Sequence, residues 1–526
     1  MTAFRSWRLL GACRGALALA GVAMLSLPAH ADPAGETAMA ALVDEVSGNS
    51  ARLRMVLQAM PKGADLHNHL GGSVYAEDFL DVAAARGMCA DEGITRIAPP
   101  PCPPERQIAA MASADPFTYA KLVDAISTRG YQKGIGPDLV SGHSQFFSSF
   151  GKFGPAFLGE TPRWLADAYA SAARNNLVYL ELMYNPDRLS RYVAAGAEAN
   201  APEASMLEAA YRRDLPEVEA LLGQTMEDVS RNHAQARARL GCDTKAAHEG
   251  CELAVRYLFS GMRGVAPAMA WRSLLAGFVL ANRDPRFVGV NIVMPEDDPV
   301  ALRDYDLHMA MFRFLEAKYP DVKVTMHAGE LALGLVPPLD LEDHIAKAID
   351  AGARRIGHGV GIAYEKAAPE TLARMAREGI GVEINLTSNA VILGVKGGEH
   401  PLHLYRSMGV PVMLSTDDEG VLRSDMSNEY VRAVEQQGLR YPQLKEMTRA
   451  SLEYAFVPGA SLWRARQLGK PVSACSASFS DAGCTAFLAG SEKARLQARL
   501  ETRLDAFERQ TARFGRAQGV RAAGGG

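Results

Sequence analysis

Short apolar runs alternate along this chain with segments that carry the hydrophobic spacing of amphipathic helices. Eight such runs occur, at residues 64–67, 178–184, 255–259, 287–293, 322–327, 355–358, 381–386 and 410–416. Each has the length of a buried strand, and helical patterns lie between most of them. One of these helices is predicted to begin at Thr161-Pro162, a capping residue followed by proline, and another to end at Gly352. Repeated strand–helix units predict an α/β fold, a (β/α)8 TIM-type barrel, and the same periodicity also fits a doubly wound sheet.

Several segments exceed what a minimal barrel needs. Residues 37–60 predict one N-terminal helix, residues 85–160 hold a run of phenylalanines, and a helical insertion is predicted at about 194–250. A helix after Ser491 is expected to pack on the barrel or on a second copy of the chain in a homodimer, before a disordered glycine-rich end. The predicted division is therefore a leader, an N-terminal helical extension, the barrel and a C-terminal helical extension, at 1–31, 32–60, 61–465 and 466–526.

The leader has the plan of a cleaved secretory signal peptide. Arg5, Arg8 and Arg14 precede or open a short apolar stretch at 15–27, and Ala29-His30-Ala31 offers a small-residue cleavage site. The alternative is an uncleaved anchor, which the short apolar stretch disfavours. The sequence therefore predicts export to the periplasm or the medium, without a membrane span.

Export makes the cysteines informative. Six remain after the leader, in three pairs that are close in sequence: Cys89 and Cys102, Cys242 and Cys251, Cys475 and Cys484. In an oxidising compartment these pairs predict three short disulfide loops. Free or metal-binding thiols are the weaker alternative, because no Cys-x-x-Cys motif occurs.

Composition and charge narrow the class of ligand. Hydrophobic residues make up 48% of the chain and charged residues 22%, as in a soluble globular protein. The formal net charge is -4, and no basic cluster or stripe is present. A nucleic acid held mainly through its phosphates is therefore disfavoured as the partner.

Polar residues gather where the predicted strands end. The first, fifth, sixth and eighth runs lead into Asp65-Leu66-His67-Asn68-His69, His327-Ala328-Gly329-Glu330, Gly357-His358-Gly359 and Ser415-Thr416-Asp417-Asp418. Taken singly, each has an ordinary structural alternative, such as a helix cap or a turn histidine. A barrel, however, brings the carboxyl ends of its strands to one cavity. Taken together, the four segments indicate a site.

The residue types at this site indicate metal-assisted hydrolysis. Three imidazoles and one carboxylate suit Zn²⁺ or a similar ion and leave one position for water. Such an ion lowers the pKa of its water to about 7. A further histidine and a further acid can then move protons. Phe146, Phe147, Phe150 and Phe153 could form a flat apolar pocket, although ordinary core packing is expected for at least two of them.

The motifs resemble the adenosine deaminase branch of the metal-dependent amidohydrolase superfamily. The resemblance runs from Met60 to about Pro458 and rests on the four strand-end segments, on Met60-Pro61-Lys62-Gly63 and on Val178-Tyr179-Leu180-Glu181-Leu182. The Met-Pro-Lys-Gly lead and residues 451–459 are similar to the secreted, growth-factor-related deaminases, which agrees with the leader.

The resemblance implies a role for each site residue. One zinc ion per chain is held by His67, His69, His327 and Asp417. Glu330 protonates N1 of the purine, His358 positions and deprotonates the attacking water, and Asp418 hydrogen-bonds N7. The implied reaction is zinc-dependent hydrolysis of adenosine, and of 2′-deoxyadenosine, to an inosine-type product and ammonia.

Two departures from the family concern the sugar side of the site. Gly71 stands where the family usually has an acidic residue that contacts the ribose, and Met294 stands where it usually has a glycine. Alternative substrates are therefore AMP, adenine or a modified nucleoside, although AMP would need an Arg or Lys near the ribose. A further alternative is a non-catalytic nucleoside-binding or signalling protein of the same fold. The presence of both Glu330 and Asp418 argues against it.

Overall fold

Eight parallel strands form the centre of the molecule. The computed structural model describes residues 33–131, 134, 140–196 and 202–514. The order of the strands in the sheet is their order in the chain, and each pairs in parallel with the next. We number them β1 to β8: Gly63–His69, Leu177–Met183, Ala254–Met262, Phe287–Val293, Lys323–Ala328, Arg355–His358, Gly381–Ile384 and Val412–Leu414. All eight predicted runs are strands.

The barrel closes between the end of β1 and the segment that follows β8. The backbone N–H of Asp417 donates to the carbonyl of His67 at 2.8 Å, and the N–H of His69 donates to the carbonyl of Asp417 at 3.1 Å. Asn68 and Asp417 thereby form a parallel bridge. This closure confirms the (β/α)8 barrel and excludes the doubly wound sheet, whose first and last strands would lie at separate edges.

Helices cover the outside of the barrel. Those between the strands are Ala76–Ala85, Ile108–Ala114, Pro116–Ala125, Gly142–Phe157, Thr161–Arg174, Asp187–Ala194, Leu207–Arg239, Pro267–Arg283, Pro299–Arg303, Tyr305–Lys318, His344–Asp350, Ala368–Glu378, Leu386–Ser388 and Leu402–Ser407. Met426–Glu435 and Tyr441–Glu453 follow β8. The helix predicted at Thr161-Pro162 begins there. Gly352 follows the helix that precedes β6, with a φ of 99° that favours glycine.

The N-terminal extension contains two helices, so the prediction of a single helix over 37–60 is wrong. The helices are Pro33–Val46 and Ser50–Ala59. Residues 47–49 separate them, and the side chain of Asn49 accepts a hydrogen bond from the N–H of Arg52 at 3.0 Å. Asparagine competes for backbone hydrogen bonds and favours a new cap over helix continuation, which the hydrophobic spacing does not reveal.

The predicted insertion and the C-terminal extension are both helical. Leu207–Arg239 packs on Thr161–Arg174, and Glu492–Glu508 packs on Tyr441–Glu453 and on the first N-terminal helix. The side chain of Ser491 caps Glu492–Glu508 by accepting from the N–H of Ala494 at 3.1 Å. Further short elements are Ala482–Ala489, Thr511–Phe514 and the hairpin strands Cys89–Ala90 with Ile97–Ala98 and Trp463–Arg464 with Gln467–Pro471.

The six cysteines form the three sequence-local disulfides, Cys89–Cys102, Cys242–Cys251 and Cys475–Cys484. Each ties down a loop in one of the segments added to the barrel. Among the described helices, none combines the length and apolar character that a membrane crossing requires. The predicted signal peptide at 1–31 and the glycine-rich end lie outside the described residues.

Candidate metal centre and active site

Four histidines and two aspartates meet at the carboxyl ends of the strands. His67 and His69 come from β1, His327 from β5 and His358 from β6. Asp417 and Asp418 follow β8, where barrel closure places them beside β1. All are buried except His69, whose side chain is 16% exposed. The residues that the sequence predicts for the site are therefore brought together.

The ligand atoms have the spacing that one small cation requires. Nε2 of His67 lies 3.0 Å from Nε2 of His327 and 3.3 Å from Nε2 of His69. Oδ1 of Asp417 lies 3.5 Å from His67 Nε2 and 3.2 Å from His69 Nε2. A tetrahedral zinc site with bonds of about 2.0–2.1 Å has ligand–ligand edges of about 3.3 Å. These four spacings fit such an ion, and a ring nitrogen of His358 also lies within 4.8 Å of the ligand atoms of His67, His327 and Asp417.

Hydrogen bonds on the far side of two rings orient their Nε2 atoms. Nδ1 of His67 donates to Oε2 of Glu383 at 2.7 Å, and Nδ1 of His327 donates to Oδ1 of Asn291 at 3.0 Å. The backbone N–H groups of Ile292 and His327 also donate to this Asn291 oxygen, which identifies it as the carbonyl. With Nδ1 as the donor in each ring, both Nε2 atoms can serve as ligands to a shared cation.

A buried network of charged residues supports His67 through its hydrogen bond to Glu383. Glu383 also accepts from Arg355 at 2.5 Å and from Thr325 at 2.8 Å, and Arg355 reaches Glu181 at 2.7 Å. Burial raises the pKa of Glu383, but the charge of Arg355 and the hydrogen bond from His67 outweigh burial and lower it to about 2. Glu383 is thus held as a carboxylate and keeps the ring of His67 in place.

Glu330 and His358 lie beside the cluster in positions suited to proton transfer. Oε1 of Glu330 lies 3.6 Å from Nδ1 of His358, and Nε2 of His358 lies 3.8 Å from Oδ2 of Asp417. Burial raises the pKa of Glu330 well above its usual value, and the charge of Asp417 raises it further. His358 has a φ of 66°, in the left-handed region that a residue with a side chain seldom adopts, and such strain is concentrated at functional sites.

Asp418 lines the cavity with a buried carboxyl group. Its Oδ1 is buried and has no hydrogen-bond partner among the described residues. Burial raises the pKa of this carboxyl, and the neighbouring charge of Asp417 acts in the same direction. Gly72 must be a glycine, because a Cβ there would lie 1.5 Å from Oδ1 of Asp418. The carboxyl of Asp418 is therefore available to a ligand.

The site opens into a cavity of about 630 Å³. Gly71, Met294, Glu330 and Asp418 all line it, and no atom lies within 4 Å of a Cβ built at Gly71. Of the four phenylalanines, Phe146, Phe147 and Phe150 line the cavity, so three of them are pocket residues and one is not. Phe153 stacks on Phe79 at 4.2 Å in the core.

Sequence reasoning missed the residues that hold the site from behind. Glu383 and Asn291 are single polar residues within otherwise apolar strands, and that isolation was the available signal. Glu296 is a further case, because both its carboxylate oxygens accept from the turn that carries Glu330. Oε1 accepts from the N–H of Gly329 at 3.0 Å and Oε2 from the N–H of Glu330 at 2.8 Å. His344 Nδ1 lies 2.6 Å from Oε1.

Replacing Glu296 with glutamine is expected to lower kcat by about 10- to 100-fold, with KM and metal content little changed. The glutamine amide has one acceptor oxygen, whereas the N–H groups of Gly329 and Glu330 need one each. The turn that carries Glu330 therefore loses one hydrogen bond. The measurement is the steady-state rate of the predicted hydrolysis, with metal analysis of each sample. Glu378→Gln is the control, because Glu378 pairs only with arginines at the surface. Equal kcat in both variants would remove Glu296 from this role.

The chain is similar to proteins of one family. The adenosine deaminase family profile matches residues 160–467, which is more than half of the chain. The chain is 34% identical to the adenosine deaminase of Aliivibrio fischeri (strain ATCC 700601 / ES114) over 156 residues, 30% of this chain and 44% of that protein. It is 29% identical to the adenine deaminase of Sinorhizobium medicae (strain WSM419) over 295 residues, 56% of this chain and 74% of that protein.

A solved structure supports the fold. A zinc-bound amidohydrolase of Burkholderia ambifaria aligns with a TM-score of 0.52 and 19% identity, over 87% of this chain and 95% of that one. The chain spans less than half the length of the first adenosine deaminases that it matches. The extent of the profile match, together with the closed barrel and its strand-end cluster, decides the family. The chain belongs to the adenosine deaminase family of the amidohydrolase superfamily.

Proposed function

We propose that the chain is a zinc-dependent hydrolase that removes the 6-amino group of a purine nucleoside, with adenosine as its substrate. The observation that carries this proposal is the convergence of His67, His69, His327 and Asp417 at zinc-like spacing, next to Glu330 and Asp418. These four would hold the ion, which supplies a Lewis acid that activates water at neutral pH. The metal dependence of the family supports the same assignment.

The remaining polar residues have separate tasks in this proposal. Glu330, which is buried and faces the cavity, donates a proton to N1 and makes C6 more electrophilic. His358 accepts a proton from the attacking water, and its Nδ1 contact with Asn389 at 3.0 Å holds the ring. Asp418, whose pKa burial raises well above its usual value, is protonated, so it donates a hydrogen bond to N7 and orients the ring. The cavity walls exclude water from the rest of the substrate.

A second candidate is removal of the amino group from free adenine. The Sinorhizobium adenine deaminase aligns over 295 residues, against 156 for the Aliivibrio adenosine deaminase, and the match extends over more of both chains. Adenine presents the same C6, N1 and N7 to the site and differs only in lacking the sugar. The two candidates therefore share every residue named above.

The deciding experiment is a panel of adenosine, 2′-deoxyadenosine, adenine and AMP with the zinc-loaded protein, followed through the ultraviolet absorbance change on deamination. We expect adenosine to give the highest kcat/KM. A preference for adenine would select the second candidate. A protein that carries zinc and binds adenosine but deaminates no member of the panel would be the non-catalytic alternative, and the proposal would fail.

A further inference from the structure

The mouth of the barrel has two chemically different halves. The groups proposed to act on the purine come from β5, β6, β8 and β1. The opposite side of the same cavity is built by the ends of β2, β3 and β4. Its large side chains are Met183, Tyr184, Met262, Val293 and Met294, which are apolar apart from one hydroxyl. A substrate whose reacting carbon faces the first half must place its remote end in the second.

An aromatic helix also lines this cavity. Gly142–Phe157 contributes Phe146, Phe147, Phe150 and Phe157 to the cavity wall. Ring pairs of 5.0 and 5.3 Å centroid separation link Phe146 to Phe147 and to Phe150. These contacts hold the rings as a continuous apolar wall. Such a wall favours an apolar ligand surface, because transfer of an apolar surface from water costs no hydrogen bonds.

Polar groups in the second half are few, and most of them already form hydrogen bonds within the protein. Asn185 exchanges two 2.8 Å hydrogen bonds with the backbone of Ser260, and Asp298 caps the helix Pro299–Arg303. The exposed Asp187 lies at the rim. No lysine or arginine occurs among the described residues that line the cavity. A phosphate here would meet two carboxylates and no cation, so a charged remote end is disfavoured.

Met294 occupies a backbone conformation that favours glycine. Its φ is 87°, and Nε of Arg263 donates to its carbonyl at 2.9 Å. Arg263 is fully buried and also donates to the carbonyl of His327 at 2.9 Å, so the turn is anchored to a metal-site strand. A side chain kept at such a φ beside a cavity points to a function for the side chain. The flexible thioether of methionine adapts to irregular apolar groups.

We propose that the preferred substrate carries an uncharged, apolar group at the far end of its sugar, and that Met294 selects this group. The inference rests on the proposed purine nucleoside deamination. In a purine nucleoside, N9 lies across the ring system from C6, so the sugar enters the half formed by β2, β3 and β4. Asp187 is exposed at the rim and Oδ1 of Asp298 is taken up by a helix cap, so a 5′-hydroxyl against the apolar wall would lose water with few partners in return, whereas a 5′-methyl group would not.

The test compares adenosine, 5′-deoxyadenosine and AMP as substrates of the zinc-loaded protein and of the variants Met294→Gly and Met294→Leu. For the unaltered chain we expect kcat/KM to be about tenfold higher with 5′-deoxyadenosine than with adenosine, mainly through KM. AMP is expected to react at less than about 1% of the adenosine rate. Met294→Gly should reduce the tenfold preference to about threefold or less, and Met294→Leu should keep it.

Each other outcome contradicts a defined part of the inference. Equal or higher kcat/KM with adenosine or AMP would overturn the substrate class. An unchanged preference in Met294→Gly would remove Met294 as the selecting residue, and Met294→Ala provides the same comparison should the glycine variant not fold. Failure of every purine in the zinc-loaded protein would instead overturn the proposed function, so the two failures are distinguishable.

Discussion

Replacing Glu330 with glutamine is expected to reduce deamination by about 10²- to 10⁴-fold while the protein keeps its metal. The amide has the shape of the acid and retains the backbone hydrogen bond to Glu296. It has no proton to transfer to N1, so C6 stays a poor electrophile. Single-turnover and steady-state rates on adenosine measure the loss, and zinc analysis shows whether the centre is intact.

The control for this prediction is again Glu378→Gln, which makes the same chemical change at the surface and should leave the rate unaltered. Substrate binding is expected to change much less than kcat, because Glu330 acts mainly in the transition state. Turnover within threefold of the unaltered chain would show that Glu330 is not the proton donor.

Replacing Asp417 with alanine is expected to release the metal and with it the activity. Asp417 is the only carboxylate of the proposed ligand set, and its Oδ1 faces both β1 histidines. Its removal leaves three neutral imidazoles without a charged ligand. Zinc content after gel filtration, measured beside the unaltered chain, should fall to less than about a tenth.

Asp418→Ala separates metal binding from chemistry at the neighbouring position. Asp418 lines the cavity and is not one of the proposed zinc ligands, so this variant should keep zinc and lose activity, because N7 loses its hydrogen-bond donor. Full zinc occupancy in Asp417→Ala would place the fourth ligand elsewhere. His358 would then be the next residue to examine, since its Nε2 lies 3.8 Å from Asp417.

The strands and the strand-end segments were predictable because they depend on local pattern. Each apolar run is short and is bounded by glycine or polar residues, so β1 to β8 could be recognised one at a time. The helix break at 47–49 was missed, because a single asparagine cap decides it against an unbroken apolar face. The sequence pattern also could not tell which phenylalanines line the cavity. Phe150 and Phe153 lie on one helix and differ only in the residues that pack against them.

The sequence by itself determined the eight strand–helix units, the three cysteine pairs and the residue types of the metal centre, because periodicity and side-chain chemistry can be read from each position. Closure of those units into a barrel was decided by the tertiary structure. Only the tertiary structure decided that Glu383, Asn291 and Glu296 orient these residues, that Met294 keeps its side chain at a positive φ, and that the far half of the cavity is apolar and free of cations among its described residues. The physical reason is that hydrogen-bond partners and cavity walls are contacts between strands far apart in the chain. Only barrel closure makes those residues neighbours.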